Sequence, residues 1–382
     1  MNPMLIFYAV AFLLFLLYAG LIIYYRQSWI SIPTFKAGEY AQPFTKITIV
    51  IPARNETENL VDCLDAIITQ SYPKHLFEVL VVDDHSTDNT ADIILSYYEH
   101  NVKLISLKDF VSPNKINAYK KKAIEIAIQQ STGELIVTTD ADCLVQQNWL
   151  QNIATFYEKK DAAFIAMPVS YNCKNNFLEI FQALDFMTLQ GITGAAVFKK
   201  AHSMCNGANL AYQKKAFIAV GGFSGIDKIA SGDDMLLMHK IYKQFPDKVF
   251  FLKSKEIIVS TQPMDTLKGF FNQRIRWASK ADKYDDKRIF FVLLLVYFFN
   301  VIIFVLGIFT FFYTYTFTYF LALMAAKTMV ELYFLYPVAR FFNKERLLWL
   351  FPVAQPFHIL YTIISGWLGK FGTYQWKERK VS

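Results

Sequence analysis

Two apolar regions near the ends of the chain constrain its fold more than any other feature of the sequence. Residues 4–25 carry no charged side chain, and a second apolar region extends over residues 289–369. At 1.5 Å per residue, the first region is long enough as a helix to cross a hydrocarbon core of about 30 Å. The sequence therefore predicts an N-terminal membrane anchor within residues 1–28 and further membrane helices near the C-terminus.

A cleaved signal peptide is the alternative interpretation of the first region. No basic segment precedes it, and it is longer than the apolar part of a signal peptide, which favours the anchor. Arg26 and Lys36 follow it, so the positive-inside rule predicts that the chain after the anchor lies in the cytoplasm. In the C-terminal region we expect two membrane spans at roughly 289–313 and 315–336, followed by a third apolar stretch at 347–369.

The stretch 347–369 leaves two topologies open. Pro352 and Pro356 interrupt its first half, and residues 370–382 after it form a basic tail. A full crossing would place this tail outside, whereas a re-entrant or interfacial helix would keep it in the cytoplasm, as the positive-inside rule favours. We therefore expect an integral protein of the inner membrane, with a cytosolic domain over residues 44–280 and a basic cytosolic tail.

The middle of the chain has the pattern of an α/β domain. Short β-branched runs alternate with helical stretches, which is typical of a parallel sheet with crossover helices. Ligands of such open sheets bind at the carboxyl ends of the strands. The predicted strands are 46–52, 77–84, 101–107 and 134–142, and the predicted helices lie near 57–70, 88–99 and 118–131.

Polar residues follow the first two predicted strands. The first strand ends in IPARNETENL, where Asn55 or Glu56 can begin a helix, and the second ends in VVDDHSTDNT, which contains the adjacent Asp83 and Asp84. Helix capping and turn formation explain either cluster when it is considered alone.

The fourth predicted strand ends in TTDADC, the most informative triplet of the chain. On an extended backbone Asp140 and Asp142 would point toward one face of the sheet. Two neighbouring carboxylates repel each other unless a cation lies between them, and oxygen ligands suit Mg²⁺ or Mn²⁺. The alternative is a solvated loop with capping aspartates.

Two later motifs also permit a structural and a functional interpretation. Asp233 and Asp234 precede a helix with periodic apolar residues, where they serve either as an acidic first turn or as a general base. The segment QRIRW, residues 273–277, lies in an amphipathic helix. Arg276 suits a clamp on phosphate oxygens and Trp277 suits the membrane interface, and an ordinary basic interfacial helix is the alternative.

Taken in order, these motifs resemble the membrane-bound family 2 glycosyltransferases, which include ceramide glucosyltransferases and the hyaluronan and cellulose synthases. The resemblance implies a Rossmann-like, GT-A-type nucleotide-sugar-binding domain with N-terminal and C-terminal transmembrane helices. It also implies an inverting transfer from a UDP- or GDP-sugar, with Mn²⁺ or Mg²⁺ as cofactor. The motifs are IPARNE, VVDDHSTDNT, the Asp-Ala-Asp triplet, the late acidic pair and Gln-x-x-Arg-Trp.

The resemblance implies roles for particular residues of the first three motifs. Ala53 and Glu56 would line the nucleotide pocket, and Asp84, next to Asp83, would hydrogen-bond the base. Asp142 would hold the metal. Asp140, the first residue of the triplet, would lie near the ribose and the diphosphate.

The last two motifs would contribute the base and the closing segment. Asp234 matches the general base, but the family usually has Thr-Glu-Asp where this chain has Gly-Asp-Asp, so Asp233 remains an alternative. Gln273, Arg276 and Trp277 would close over the donor diphosphate and the acceptor.

One lysine position is ambiguous in the sequence. The family often has a lysine upstream of the Gly-Glu pair that opens the fourth strand, and Lys120 stands at the matching distance from Gly133. Because Lys121 and Lys122 follow directly, the sequence does not decide between the three lysines.

The acceptor side is represented by NGANLAY, in which Gly207, Ala208 and Asn209 would let a substrate approach the backbone closely. A compact chain with few predicted spans favours a lipid acceptor at the cytoplasmic leaflet and a single transfer. A processive polysaccharide synthase is the alternative, because polymer extrusion normally needs more spans. An inactive nucleotide-binding scaffold is the second alternative.

Charge and composition argue against other classes of protein. The net charge of +7 is modest, and several basic residues flank the apolar regions, where they would contact membrane lipids, so we expect no nucleic-acid partner. A transporter is disfavoured because the predicted spans are few and largely uncharged.

Overall fold

The computed structural model describes residues 3–38, 42–112, 117–174, 176–201, 204–229, 231–279, 286–371, 374–376 and 379–381. The helices are α1 (Pro3–Ser31), α2 (Leu60–Ile68), α3 (Thr90–Ser96), α4 (Tyr119–Gln130), α5 (Trp149–Lys160), α6 (Phe177–Phe198), α7 (Lys214–Ala219), α8 (Met235–Gln244), α9 (Leu267–Ala278), α10 (Lys287–Phe309), α11 (Thr316–Phe341) and α12 (Phe351–Phe371). The strands are β1 (Ile47–Ala53), β2 (Phe77–Asp83), β3 (Val102–Ser106), β4 (Leu135–Thr138), β5 (Phe164–Ala166), β6 (Val169–Tyr171), β7 (Leu210–Gln213), β8 (Val249–Phe251), β9 (Val259–Thr261), β10 (Tyr374–Trp376) and β11 (Arg379–Val381).

The chain forms two compact units, here called the sheet unit and the helical unit. The sheet unit comprises Ile32–Asn172 and Ala196–Gln262. The helical unit comprises Met1–Ser31, Cys173–Ala195 and Pro263–Ser382.

The sheet unit is built on a seven-stranded sheet with the order β3-β2-β1-β4-β7-β5-β8. Strands β3, β2, β1 and β4 are mutually parallel, so the expected parallel sheet and its crossover helices are found. Strand β7 then runs antiparallel to both β4 and β5, and β8 is parallel to β5. The result is a mixed sheet whose parallel half contains all four predicted strands.

The central strands β1 and β2 are buried along nearly their whole length, and most of their side chains are apolar. In β1, Ile49, Val50 and Ile51 are completely buried, and Val79 and Val81 of β2 are completely buried beside them. Removing each such side chain from water contributes about 1.5–3 kcal/mol. This core fixes the carboxyl ends of β1, β2 and β4 next to one another.

The helical unit includes segments that the sequence assigns to the domain 44–280. Asp185 of α6 accepts hydrogen bonds from Arg274 of α9 and from Tyr361 of α12. Phe181 and Phe270 pack edge-to-face against each other. Residues 173–195 and 263–279 therefore belong with the terminal helices and not with the sheet, because their buried contacts are made there.

Within the residues that the structure describes, four helical segments have the length and apolar composition needed to cross a membrane. The two predicted C-terminal spans and the N-terminal anchor are among them, and the stretch after them forms one long helix that continues through Pro356. The segments are Met4–Ser31, Lys287–Phe309, Thr316–Phe341 and Glu345–Gly369.

One of these segments carries buried charges, contrary to the expectation of largely uncharged spans. Lys327 of α11 is completely buried and donates to Glu331 Oε1 at 2.6 Å and to Gln355 Oε1 at 2.7 Å. Tyr18 of α1 and Gln355 of α12 also donate to the Glu331 carboxylate. The ion pair thus connects three helices, as buried charges require polar partners.

Candidate active site

The ends of β1 and β2 are linked by an arginine that the sequence analysis did not single out. Arg54, directly after β1, donates from Nη1 to the Asp84 carbonyl oxygen at 2.9 Å and lies 4.0 Å from the Asp84 carboxylate. His85 Nδ1 lies 3.0 Å from the same carboxylate. Asp83 is turned into its own loop, where its carboxylate accepts from the Ser86 N–H at 3.2 Å. Of the two aspartates, Asp84 is therefore the one beside the Arg54 guanidinium and the His85 ring.

The loops after these two strands interlock through backbone groups. The Asn55 N–H donates to Ser86 Oγ at 3.0 Å, and the Glu56 N–H donates to Thr90 Oγ1 at 2.9 Å. The backbone of Ala53 accepts from the Asp84 N–H at 2.8 Å. These bonds hold Ala53, Glu56 and Asp84, three of the predicted nucleotide-binding residues, in one fixed loop pair.

The Asp-Ala-Asp triplet lies in a turn, and the prediction that it extends β4 is wrong. Strand β4 ends at Thr138, and the Cys143 N–H donates to the Asp140 carbonyl oxygen at 3.2 Å, which closes a turn around the triplet. The two carboxylates therefore owe their placement to this turn and not to strand alternation. Thr261 of β9 donates to Asp142 Oδ2 at 3.2 Å and fixes that side chain.

A lysine from α4 joins the triplet to the later acidic pair. Lys120 Nζ lies 2.5 Å from Asp140 Oδ1 and 3.6 Å from Asp233 Oδ2. Burial alone would lower the pKa of Lys120, but the charges of Asp140 and Asp233 outweigh it and raise the pKa above its ordinary value. Lys120 is therefore a permanent ammonium between two carboxylates.

Its two neighbours on α4 point elsewhere, so the structure distinguishes the three lysines. Lys122 pairs with Glu125 at 2.8 Å on the helix surface. Lys121 is buried and donates to the carbonyl oxygens of Ile226 and Ile229. Among the three, Lys120 is the one at the carboxylates.

The acidic pair lies at the start of α8, as its pattern predicts. Asp234 is the N-cap residue, and its Oδ1 accepts from the Met235 N–H at 2.7 Å. Its Oδ2 accepts from the Gly207 N–H at 3.2 Å. A Cβ atom at Gly207 would lie 3.1 Å from Asp233 Oδ2 and 3.3 Å from Lys120 Nζ, so a side chain there would crowd the cluster.

The remaining acceptor-side residues lie deeper. Ala208 is buried, and Asn209 is completely buried with its amide donating to the carbonyl oxygens of Pro168 and Ile257. Asn209 Oδ1 accepts from the Trp149 indole N–H at 3.0 Å. Within this segment only Gly207 lies beside the carboxylates, and Asn209 serves the core.

The three predicted closing residues lie on α9, in the helical unit. Gln273 Oε1 accepts a hydrogen bond from Arg274 Nη1 at 2.5 Å, and the Arg274 guanidinium lies 4.3 Å from the Trp277 ring centre. Trp277 also contacts Phe186 of α6, with ring centres 6.0 Å apart. Arg276 is partly exposed on the same helix.

The carboxylates of Asp140 and Asp142 could supply some, but not all, of the ligands of a hard divalent cation. Burial raises the pKa of Asp142, and the neighbouring charges of Asp140 and Glu56 raise it further. Within the described ranges no group of three or more His, Cys, Asp or Glu side chains is arranged to hold a metal. The donor set thus fits an ion that takes further oxygen ligands from a bound diphosphate or water.

Two residues that contact the predicted carboxylates, Arg54 and Thr261, were not singled out in the sequence. Thr261 is the last residue of the short strand β9, which is remote in sequence from Asp142. Arg54 lies within the motif IPARNETENL. Its positive charge beside the predicted nucleotide pocket could have indicated a role in the site. Only the three-dimensional contact identifies Thr261.

A mixed α/β sheet with carboxylates after the carboxyl ends of its parallel strands is typical of the Rossmann-like class of folds. Sequence models agree on the family. The model "Glycosyl transferase family 2" matches residues 48–221, and the model "Glycosyl transferase family group 2" matches residues 135–367, more than half of the chain. The chain belongs to the family 2 glycosyltransferases, which confirms the resemblance.

Curated relatives point to the same family. The chain is 33% identical to the glycosyltransferase AglE of Haloferax volcanii over 105 residues, which cover 28% of this chain and 33% of AglE. It is 26% identical over 250 residues to the probable glycosyltransferase YdaM of Bacillus subtilis, covering 63% of this chain and 56% of YdaM. It is 26% identical over 239 residues to the poly-β-1,6-N-acetyl-D-glucosamine synthase of Staphylococcus aureus, covering 61% of this chain and 53% of the synthase. The matches thus span one third to about half of these relatives.

A solved structure has the same fold. The mannosyltransferase PcManGT from Pyrobaculum calidifontis, in complex with GDP-Man and Mn²⁺, superimposes with a TM-score of 0.54 at 18% sequence identity. The match covers 93% of this chain and 97% of PcManGT. The predicted GT-A-type fold with apolar helices at both ends is therefore confirmed.

Proposed function

We propose that this chain is an inverting glycosyltransferase that transfers one sugar from a nucleoside-diphosphate sugar to a lipid acceptor at the membrane. The observation that carries the proposal is the cluster in which Lys120 lies between Asp140 and Asp233. The Lys120 ammonium lies within hydrogen-bond or ion-pair distance of both carboxylates, which we propose as the donor-side and acceptor-side groups.

The donor half of the site would be the loop pair after β1 and β2 together with the Asp-Ala-Asp turn. Ala53, Glu56 and Asp84 would contact the nucleotide, with Asp83 supporting the loop. A nucleoside-diphosphate sugar is supported as the donor by the structural neighbour PcManGT, which was solved in complex with GDP-Man.

Asp142, together with Asp140, would hold the Mn²⁺ or Mg²⁺. A divalent ion bound there supplies positive charge opposite the leaving diphosphate. Lys120, held protonated by its two carboxylates, adds a fixed positive charge on the same side. We include Gln273, Arg276 and Trp277 of α9 in the proposal as residues that close over the donor.

The acceptor half would be formed by Asp234, Asp233 and Gly207. Asp234 would accept the proton of the acceptor hydroxyl while that oxygen attacks the anomeric carbon, and the bond from this carbon to the diphosphate oxygen breaks on the opposite face. Configuration at the anomeric carbon is therefore inverted. Because Asp234 accepts two backbone N–H bonds, its carboxylate is held in one orientation.

A processive polysaccharide synthase is the second candidate. The observation that favours it is the similarity to the poly-β-1,6-N-acetyl-D-glucosamine synthase over 61% of this chain. The described residues contain few apolar helical segments, and extrusion of a polymer normally needs more membrane spans. This favours the lipid acceptor.

The test is a transfer assay with the detergent-solubilised full chain. Purified protein is incubated with a panel of UDP- and GDP-sugars, Mn²⁺ or Mg²⁺, and a total lipid extract, and products are analysed by mass spectrometry. The proposal predicts metal-dependent release of one nucleotide with a glycolipid that carries a single added sugar. Products of many sugars would support the synthase, and no turnover with any donor would contradict both.

A further inference from the structure

Residues 221–229, here called the loop, are part of the connection between α7 and α8 and are held by a buried lysine that the chemistry proposed above does not use. Lys121 of α4 is 2% exposed, and its Nζ donates to the Ile226 carbonyl oxygen at 2.6 Å and to the Ile229 carbonyl oxygen at 2.7 Å. Hydrogen bonds from a charged donor are roughly twice as strong as neutral ones. A buried ammonium bound to two carbonyl groups therefore fixes this part of the loop firmly.

A second lysine holds the other half of the same loop. Lys240 of α8 donates from Nζ to the Gly222 carbonyl oxygen at 2.6 Å and to the Ser224 carbonyl oxygen at 2.7 Å. Gly222 has φ +50° and lies against the Phe217 ring, so the loop backbone there leaves no room for a side chain. Four carbonyl groups of one short loop are thus bound by two lysines from two different helices.

In the sequence, the acidic pair follows closely after this loop. After residues 221–229 the chain reaches Gly232, with φ +82°, and then Asp233 and Asp234. Lys120, the neighbour of Lys121 on α4, contacts Asp233 from the other side. Helix α4 therefore contacts the acidic pair through one lysine and the loop that precedes it through the next.

We propose that Lys121 and Lys240 are positioning residues that set the place of the acceptor-side carboxylates. The inference rests on the proposed function, because it takes Asp234 and Asp233 as the acceptor-side groups. Neither lysine is proposed to touch substrate. Their effect passes through the backbone of residues 221–229, which determines the positions of Asp233 and Asp234 just before α8.

The proposal predicts a specific kinetic signature. The donor half of the site lies in the loops after β1, β2 and β4, which these two lysines do not contact in the bonds described. Substituting Lys121 should therefore lower kcat for transfer while the donor KM and the dissociation constant of the nucleoside diphosphate stay the same. A misplacement of about 1 Å costs up to about 100-fold in rate, so we expect kcat to fall by about 10- to 100-fold.

The experiment compares Lys121→Met, Lys240→Met and Lys121→Arg in the full-length protein, with Lys122→Met as the matched control. Methionine keeps the length of the side chain and removes its charge, and Lys122 lies on the same helix but pairs only with Glu125 in the bonds described. We expect lower kcat for both methionine variants, partial recovery in Lys121→Arg and wild-type kinetics in Lys122→Met. Nucleoside diphosphate binding is measured by calorimetry in parallel.

Two results would decide against the inference. Wild-type kcat in both methionine variants would contradict it, and so would a rise in donor KM that accounts for the whole loss of kcat/KM. If Lys121→Met does not fold, Lys240→Met decides, because Lys240 is only partly buried. Absence of transfer by the wild-type protein would instead contradict the proposed function, so the two failures are distinguishable.

Discussion

Lys120 Nζ lies 2.5 Å from Asp140 Oδ1, and the same ammonium lies 3.6 Å from Asp233 Oδ2. The ion pair connects the turn after β4 with the start of α8. Two carboxylates from distant parts of the sequence are thereby held close to each other by one positive charge.

Replacing Lys120 by alanine should impair transfer more than any substitution of its two neighbours on α4. Without the ammonium, Asp140 and Asp233 repel each other and the fixed positive charge near the donor is lost. We expect kcat/KM for the donor to fall by about 100-fold or more, consistent with losing one electrostatic contact in an active site. Steady-state kinetics of Lys120→Ala and Lys122→Ala measure this, and equal activities of the two variants would refute the role of Lys120.

Asp142→Ala should abolish metal-dependent transfer and leave the protein folded. Asp142 carries the carboxylate whose pKa is raised by burial and by Asp140 and Glu56, so its removal relieves repulsion while removing the proposed ligand. The measurement is Mn²⁺-dependent transfer together with the thermal midpoint without metal. As a control, a chelator should silence the wild-type enzyme and added Mn²⁺ should restore it. Full activity of Asp142→Ala would exclude Asp142 as the ligand.

The pH dependence of stability should report the buried Lys253. Burial lowers the pKa of Lys253 to about 8, so the folded state loses this proton at lower pH than the unfolded state, whose lysine pKa is about 10.4. The unfolded state binds more protons between these values, so this lysine makes stability rise with pH there, and the cost of burying its charge is complete below pH 8.

The variant Lys253→Met removes that charge. We expect it to raise the thermal midpoint at pH 7, with a difference from wild type that shrinks as pH rises from about 8 toward 10.4. Comparing the two proteins at each pH cancels the titration of all other groups. A difference that stays constant over this range would show that Lys253 does not titrate as its burial implies.

The buried pair of Lys327 and Glu331 should behave differently when one or both partners are replaced. Lys327→Met leaves the Glu331 carboxylate uncompensated and should destabilise the protein by about 3–5 kcal/mol. The double variant Lys327→Met/Glu331→Met removes both charges and should recover much of this loss. Unfolding in mixed micelles measures both effects, and a double variant less stable than Lys327→Met would contradict the explanation.

The parallel half of the fold could be predicted from sequence because its signal is local. Strands β1 and β2 are mainly apolar runs that end in polar clusters, and both lie within one residue of their predicted limits. The antiparallel insertion of β7 between β4 and β5 could not be predicted, since short strands such as β5 and β7 lack periodicity and their pairing depends on distant residues.

The candidate site shows the same division. The acidic pair at the start of α8 followed from a local pattern, and the structure has Asp234 as the N-cap residue. The turn at Asp140 and the hydrogen bond from Thr261 to Asp142 depend on tertiary structure. The local pattern therefore predicted an extended strand where the structure has a turn. Likewise, the orientation of α4 about its own axis determines which of the three consecutive lysines reaches the carboxylates, and the sequence does not show this orientation.

The most direct test of the account is sugar transfer by wild-type protein and by Asp234→Asn, measured side by side with the donor found in the panel and the lipid extract. Asparagine keeps the shape of the side chain and can still accept the Met235 N–H bond, but it cannot take the proton of the acceptor hydroxyl. The account predicts a singly glycosylated lipid from the wild type, and no detectable transfer by a folded, nucleotide-binding Asp234→Asn. Wild-type turnover in that variant would contradict the assignment of the acceptor-side base.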